Sequence, residues 1–133
     1  MSDNPWVVLK FGGTSVSSAP TWRVIEVIVR ARLEQQRRPL VVHSALAGVS
    51  NRLEAIAAGL GGSDSDDPIG AIERQHRTLA DALGVDGATL LAPWLAELRQ
   101  LATGMKLLGE ASPKTRARLM ALGELMATSL GAA

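Results

Sequence analysis

The stretch VVLKFGGTSVSS, residues 7–18, runs from apolar residues through two glycines into a hydroxyl-rich segment. It overlaps WVVLKF, residues 6–11, which is rich in β-branched and aromatic residues and ends at the glycines. A nearly continuous apolar run of this length predicts a strand that is buried on both faces, as in a parallel sheet. Lys10 would therefore lie at the end of an inner strand.

A helix and a second strand follow this segment. Pro20 suits the first turn of a helix, and the apolar residues after it recur three or four positions apart. Pro39 forbids continuation of that helix, and PLVVHSA, residues 39–45, predicts a short strand. Parallel strands joined by a crossover helix end at the same edge of their sheet, where open α/β sheets bind ligands. We therefore expect the loops after both strands to face one ligand.

Helices dominate the rest of the chain, since no further strand is predicted from Ser50 onward. An acidic loop is predicted at residues 61–67. Four further helices are predicted from capping residues or proline. Their signals are Ser50 or Asn51 for the first, Asp67 before Pro68 for a helix to about Leu83, Pro93 as a start or kink within residues 88–108, and Ser112 before Pro113 for the last. Two strands with four or five helices indicate an α/β protein.

Length and composition limit the possible functions. With 133 residues one domain is expected. A formal charge of +1 supplies no broad field for nucleic acid or an anionic membrane. The absence of cysteine excludes disulfides, thiolate metal sites and a cysteine nucleophile. The first residues carry no basic segment typical of a secretory signal and no run is long enough to span a membrane, so we expect a cytoplasmic protein.

The residues after the first strand suit an anion. Successive backbone N–H groups in a glycine turn form an anion-binding concavity, which Gly12 and Gly13 can supply. Lys10 adds a positive charge, and Thr14 and Ser15 add hydroxyl donors. The pattern differs from the P-loop, whose lysine follows its glycines. The alternative is a turn that ends a strand, with a lysine that extends into solvent.

Three segments resemble the aspartate kinases of the amino-acid kinase family. KFGGTSV, residues 10–16, is similar to the opening signature of these enzymes. VVHSALAGVSN, residues 41–51, is similar to their second block, and GELMATSLGA, residues 123–132, is similar to the helix that carries a substrate-binding glutamate. The order and approximate spacing also agree with the family. Ser50 stands where the family more often has threonine.

The resemblance implies transfer of the γ-phosphoryl group of ATP to L-aspartate. The product would be 4-phospho-L-aspartate, in the first step towards lysine, threonine and methionine, with Mg²⁺ bound to the nucleotide. It implies these roles: Lys10 as the catalytic contact to the transferring phosphate; Gly12, Gly13, Thr14 and Ser15 along the phosphate path; Ser44, Ser50 and Glu124 as contacts to aspartate. No metal ligand is implied in the chain.

The chemistry agrees with these roles. An ionised carboxylate needs no general base, so positioning and charge neutralisation dominate the barrier. Glu124 follows Gly123 within an otherwise apolar stretch, where a carboxylate is costly unless it meets a cation such as a substrate ammonium. The alternative for a helical glutamate is a solvated surface position.

The resemblance also implies an architecture. Residues 1–133 would form an incomplete N-terminal portion of a three-layer αβα catalytic domain, with a short parallel sheet and several helices. The family's later glycine-serine-aspartate block does not follow in this sequence, so we expect no useful kinase activity from these residues alone. A homo-oligomer is expected for the full-length enzyme, and there is a similarity to forms fused to diaminopimelate decarboxylase.

Two other functions stay open at this point. One is a related kinase with a different acceptor, and the other is a non-catalytic helical interaction module in which Lys10 has no role. Among the remaining polar and aromatic residues, His43 is interpreted as a packed imidazole and His76 as solvent-exposed. The three tryptophans, Trp6, Trp22 and Trp94, are expected to be core or interface anchors.

Overall fold

The computed structural model describes residues 3–59 and 67–133, so residues 61–66 of the predicted acidic loop lie outside the described part. Two strands and five helices occur within these residues. In chain order they are β1 (Trp6–Phe11), α1 (Ala19–Glu34), β2 (Arg38–His43), α2 (Val49–Ala57), α3 (Pro68–Leu83), α4 (Gly87–Leu108) and α5 (Pro113–Ala132). The α/β fold class predicted from the sequence is confirmed.

The two strands form a parallel pair. Their register runs from Trp6 opposite Arg38 to Phe11 opposite His43. Helix α1 connects them and packs on β2, so the predicted strand, helix, strand unit is confirmed. The carboxyl ends of both strands meet at one edge of the sheet, which is where the two loops of interest begin.

The two faces of this sheet differ in exposure. On the outer face Trp6 and Val8 are 62% and 63% exposed, and the neighbouring Leu40 and Val42 on β2 are also exposed. The other face carries half-buried residues that include Phe11, which packs against the core. The prediction that β1 is buried on both faces is therefore wrong, because no described element covers the outer face.

The core lies among the helices α2–α5. The largest side chains that are almost completely buried there share an apolar character and come from all four helices: Leu53, Ile72, Leu91, Leu98, Leu119, Leu122, Met126 and Leu130. Each such side chain contributes about 1.5–3 kcal/mol relative to an exposed position. These helices therefore carry most of the apolar burial in the described chain.

Helix starts follow the predicted caps with two exceptions. The side chains of Asp67 and Ser112 cap α3 and α5 as expected. Helix α4 begins at Gly87 under an Asp86 cap and continues through Pro93, which therefore does not start it. Helix α2 begins at Val49 rather than after Ser50 or Asn51, since Gly48 adopts a φ of 81° and turns the chain into the helix earlier.

His76 is fully buried, so the prediction of an exposed side chain is wrong. It shares the inner face of α3 with Ile72, Leu79 and Ala80, while charged sequence neighbours occupy other faces. Its Nδ1 lies 2.7 Å from the Ile72 carbonyl oxygen, and its Nε2 has no partner among the described residues. Burial lowers the pKa of His76, against a smaller opposing effect of that hydrogen bond.

The three tryptophans occupy different layers. Trp6 lies on the exposed sheet face, where the Arg38 guanidinium is 4.7 Å from its ring centre, so it is not a core anchor. The half-buried Trp22 donates its indole N–H to the Val16 carbonyl oxygen at 2.8 Å. Trp94 donates to Ser129 Oγ at 2.8 Å and joins α4 to α5.

No helix among the described residues is both long enough and apolar enough to cross a bilayer.

Candidate functional site

The loops that follow β1 and β2 touch each other. The Ser44 N–H donates to the Phe11 carbonyl oxygen at 3.2 Å, which extends the strand pairing into the second loop. A Cβ atom on Gly13 would lie only 2.8 Å from the Ala45 carbonyl oxygen. Any side chain at residue 13 would therefore push the two loops apart, which gives Gly13 a steric reason for being glycine.

The third predicted segment reaches the same place from α5. Gly123 is buried, and a Cβ atom there would lie 3.1 Å from both Ala45 Cβ and Leu53 Cδ1. This close approach lets α5 pack directly on α2 and on the loop after β2. The structure thus joins Gly13, Ala45 and Gly123 in one series of contacts, and with them the three segments that the sequence singled out.

Lys10 is the last residue but one of β1, and its side chain is exposed. It is paired with Val42 in the parallel register, on the outer face of the sheet. Ser44 is the first residue after β2 and is half-buried. No ion pair to Lys10 occurs within residues 3–59 and 67–133. Its ammonium group is therefore available to an anion.

The glycine loop offers backbone donors beside this lysine. Two turns shape it, with Ser15 N–H bonded to the Gly12 carbonyl oxygen at 3.1 Å and Ser17 N–H bonded to that of Thr14 at 3.4 Å. In the part of the chain that the structure describes, no acceptor meets the N–H of Gly13 or Thr14. Unpaired amides next to a cation are the arrangement that phosphate oxygens require.

The second loop leads into a helix end without a cap. Side chains cap the other four helices, whereas α2 follows Gly48 and has no side-chain cap. Ser50 lies in the first turn of α2 with its side chain exposed. The partial positive charge of a helix N-terminus and an exposed hydroxyl favour a carboxylate at this position.

Glu124 differs from its expected surroundings. The sequence predicted a carboxylate within an apolar environment, but its side chain is exposed while Gly123 beside it is buried. No ion pair involves Glu124 among the described residues. Glu124 thus follows the residue at the contact between α5 and the second loop, and its exposed carboxylate forms no ion pair with a described residue.

Ser17 and Gln75, two polar residues at this edge, had no role assigned from the sequence, and His43 was assigned only to packing. Ser17 Oγ bonds to the Gly13 carbonyl oxygen and to the Ala47 N–H, and Gln75 Nε2 donates to the Ala47 carbonyl oxygen. The Nδ1 of the half-buried His43 lies 3.0 Å from the Ser44 carbonyl oxygen, and its ring packs edge-on against Trp22. The packed imidazole expected for His43 agrees with this geometry. For Ser17 the only signal was the run of hydroxyls in residues 14–18.

A metal ion would need ligands from elsewhere. Within the described ranges, no group of three or more histidine, aspartate or glutamate side chains is close enough to hold one. The site in this part of the chain is therefore one of amides, hydroxyls, one ammonium and one carboxylate.

Sequence comparison places these features among known proteins. The model of the amino acid kinase family matches residues 5–133. The chain is 35% identical to aspartokinase 3, chloroplastic, of Arabidopsis thaliana over 131 residues, which cover 95% of the chain and 23% of that protein. It is 33% identical to the aspartokinase of Candida albicans over 90% of the chain and 24% of that protein.

Solved structures give a similar result. Escherichia coli aspartokinase III in complex with lysine and aspartate matches with a TM-score of 0.77 and 30% identity over 98% of this chain. The same enzyme in complex with aspartate and ADP also matches with a TM-score of 0.77, at 29% identity. The chain spans 28% of these solved chains and 23% of the first curated relative.

Proposed function

Because the chain belongs to the amino acid kinase family, we propose that it supplies part of an aspartate kinase site. The reaction is transfer of the γ-phosphoryl group of ATP to the side-chain carboxylate of L-aspartate, which gives 4-phospho-L-aspartate. The observation that carries this proposal is the series of contacts from Gly13 through Ala45 to Gly123. These contacts support the proposal because they join the glycine loop, the loop before the uncapped helix α2, and the part of α5 that carries Glu124.

Lys10 and the glycine loop are assigned to the transferring phosphoryl group. In this proposal the ammonium of Lys10 neutralises charge that builds up on the phosphoryl oxygens, and the N–H groups of Gly13 and Thr14 donate to them. The loop residues Gly12 and Ser15 line the same path. The attacking carboxylate is already ionised at neutral pH, so these groups lower the barrier by position and charge without a general base.

The second loop and α5 are assigned to aspartate. Ser44 and Ser50 donate hydroxyl hydrogen bonds, and the uncapped start of α2 favours a carboxylate group. Glu124 accepts from the substrate ammonium. A zwitterion with one further carboxylate fits a site that offers both donors for anions and one acidic acceptor.

ATP enters this proposal as a substrate with Mg²⁺ on its phosphates. The donors around Lys10 fit phosphate oxygens, whereas the described residues offer no carboxylate cluster for the metal itself. Bound Mg²⁺ would neutralise additional phosphate charge. The chain's own contribution is to hold the phosphoryl group against the aspartate site.

A chimera tests the assignment. These 133 residues replace the matched segment of E. coli aspartokinase III, and phosphorylation of aspartate is measured. We expect Lys10→Ala to lower kcat by about 100-fold to 1,000-fold, as the loss of a donor to a developing charge does in other enzymes. Lys106→Ala, an exposed lysine on α4, is the matched control and should leave kcat unchanged.

The chimera also separates the other functions. If Lys10→Ala keeps full activity in an active chimera, the catalytic role of Lys10 is wrong. If an active chimera prefers another amino acid or a nucleoside monophosphate over aspartate, the assignment of aspartate as the phosphoryl acceptor is wrong. If the chimera does not fold, aspartate is added to the isolated chain and its melting temperature is measured, where absence of any shift at high aspartate concentration argues against the assigned aspartate contacts.

Three further parts of the proposal concern the protein as a whole. We propose that the chain is the N-terminal portion of a catalytic domain and that the 133 residues alone give no turnover in a coupled assay with ATP and aspartate. We also propose a homo-oligomeric enzyme, which light scattering on the full-length protein would test. A cytoplasmic location is our proposal as well, although the Arabidopsis relative carries the word chloroplastic in its name.

A further inference from the structure

Ala47 is held through both of its backbone polar groups by side chains from distant parts of the chain. Its N–H donates to Ser17 Oγ at 2.8 Å, across 30 residues of sequence. Its carbonyl oxygen accepts from Gln75 Nε2 on α3 at 2.9 Å, across 28 residues. Ala47 is exposed and lies in the middle of the loop between Ser44 and Ser50. If these two bonds were lost, the N–H and the carbonyl oxygen of Ala47 would bond to water.

Each of the two side chains is fixed by a second bond. The Ser17 hydroxyl donates to the Gly13 carbonyl oxygen while its oxygen accepts from Ala47, so one hydroxyl joins both loops of the site. The Gln75 side-chain oxygen accepts from the Arg52 guanidinium on α2 at 2.9 Å. The amide orientation of Gln75 is therefore set, with its NH₂ group directed to Ala47.

The position of Ala47 makes these bonds relevant to the site. Gly48, the next residue, has a left-handed φ of 81°, and α2 begins directly after it with Ser50 in its first turn. A shift of the Ala47 backbone therefore moves the uncapped helix start and the Ser50 hydroxyl. Displacements of about 1 Å in a substrate-positioning group are sufficient to lower enzyme activity strongly.

We propose that Ser17 and Gln75 are positioning residues that hold the loop of residues 44–48, and with it the start of α2, in the shape that binds aspartate. This role rests on the proposed function. The two residues differ in reach, since Gln75 bonds to the second loop and to Arg52 on α2, whereas Ser17 also holds Gly13 in the phosphate loop. Gln75 therefore affects the aspartate site alone, and Ser17 affects both the aspartate and the phosphate sites.

The test uses steady-state kinetics of the active aspartokinase III chimera described above. Gln75→Leu should raise the KM for aspartate about 3-fold to 10-fold and leave the KM for ATP and kcat unchanged, since a hydrogen bond of this kind contributes about 0.5–1.5 kcal/mol. Ser17→Ala should raise the KM for aspartate by a similar factor and also lower kcat. Ser17→Thr keeps the hydroxyl and should restore most of the loss.

Two matched variants separate positioning from a general loss of stability. Ser18→Ala removes the cap of α1 in the residue next to Ser17, so it should lower the melting temperature without a change in the KM for aspartate. Gln100→Leu makes the same substitution as Gln75→Leu at an exposed position on α4 and should change neither quantity. Faster amide hydrogen exchange at Ala47 in Ser17→Ala would show that its bond to Ser17 protects that N–H.

The outcomes distinguish the two levels of the proposal. An unchanged KM for aspartate in Ser17→Ala and Gln75→Leu, in a parent chimera that phosphorylates aspartate, would overturn the positioning role and leave the proposed function standing. An equal change in Ser18→Ala would also overturn it, because the effect would then be a general loss of stability. A folded parent chimera that does not act on aspartate would overturn both.

Discussion

Apolar side chains are buried in the four helices α2–α5 but exposed on the outer face of the two-stranded sheet. In the helices Leu119, Leu122 and Met126 are completely buried, whereas Trp6 and Val8 in β1 are 62% and 63% exposed. Apolar residues make up five of the six residues of β1, a larger share than in any of these helices, so composition does not cause the difference. The helices have one another to pack against, but the outer face of the sheet has no partner among the described residues.

The comparison indicates where stability and chemistry lie. The helical part contains a core of its own, while the site lies at the boundary, where the loops after both strands meet α2 and α5. The loops there are joined by close backbone approach at Gly13 and by the polar bonds of Ser17 and Gln75. Stability should therefore respond mainly to changes in the helices, and activity to changes at the boundary.

The largest expected effect is on the helical side. Leu122→Ala removes a completely buried side chain and should lower the free energy of unfolding by about 2–5 kcal/mol, because it leaves a cavity. Val8→Ala on the exposed sheet face should change it by no more than about 0.5 kcal/mol. Urea unfolding of the isolated chain measures both values. Equal losses in the two variants would show that the outer face of the sheet is covered in solution.

The next largest effect is expected at the boundary, where the same substitution at two adjacent glycines should change stability by different amounts. Gly13→Ala forces a Cβ atom against the Ala45 carbonyl oxygen, and the backbone must move, which should cost about 1–3 kcal/mol. Gly12→Ala meets no atom within 4 Å and should be neutral within about 0.5 kcal/mol. Thermal unfolding of the two variants checks the difference. A Gly13→Ala variant as stable as Gly12→Ala would mean that the two loops do not touch.

A third effect concerns pH and the core of the helical part. Burial lowers the pKa of His76 below its ordinary value near 6.5, so the unfolded chain binds a proton more readily than the folded one. The contribution of His76 to the free energy of unfolding is therefore complete above pH 6.5 and decreases as the pH falls below it. Unfolding in urea at pH 7.5 and pH 5 should show lower stability at pH 5.

A substitution at His76 tests whether this residue causes the pH dependence of stability. His76→Leu removes the titrating group and should reduce the difference in stability between pH 7.5 and pH 5. The same difference in His76→Leu as in the unchanged chain would mean that His76 is not buried in solution.

The smallest effect is expected from the surface of the helices. Arg118 on α5 forms an ion pair with Glu97 on α4, and this contact lowers the pKa of Glu97 and raises that of Arg118. Both side chains are partly exposed, so solvent screens the attraction. Arg118→Ala should shift the melting temperature only slightly, and the shift should shrink further in 0.5 M salt. A large loss that is independent of salt would contradict this.

Local rules predicted most of the fold from the sequence. The caps Asp67 and Ser112 and the prolines that follow them fix helix starts through contacts with their own neighbours, so these boundaries agreed with the structure. The apolar runs at residues 6–11 and 39–45 likewise predicted the parallel strands. The start of α2 was missed because Gly48 carries no capping side chain that a sequence pattern could reveal.

The remaining features depend on contacts between distant residues. His76 has charged neighbours in sequence, and only the packing of α3 against other helices determines that its face is buried. The bonds of Ser17 and Gln75 to Ala47 join residues about 30 positions apart, and neither residue is distinctive in its own segment. The candidate site was accessible through the family resemblance, whereas the side chains that hold its loops required the fold.

The separate placement of the three tryptophans has an experimental consequence. Trp6 is exposed to solvent on β1, Trp22 lies at the junction of α1 with the strand ends, and Trp94 bridges α4 and α5. In variants that keep only one of the three tryptophans, the fluorescence would come from the sheet (Trp6), from the junction (Trp22) or from the helices α4 and α5 (Trp94) alone. The fluorescence of these three variants during denaturation would show whether the chain unfolds in a single cooperative step or whether the strands unfold while the helices α2–α5 stay folded.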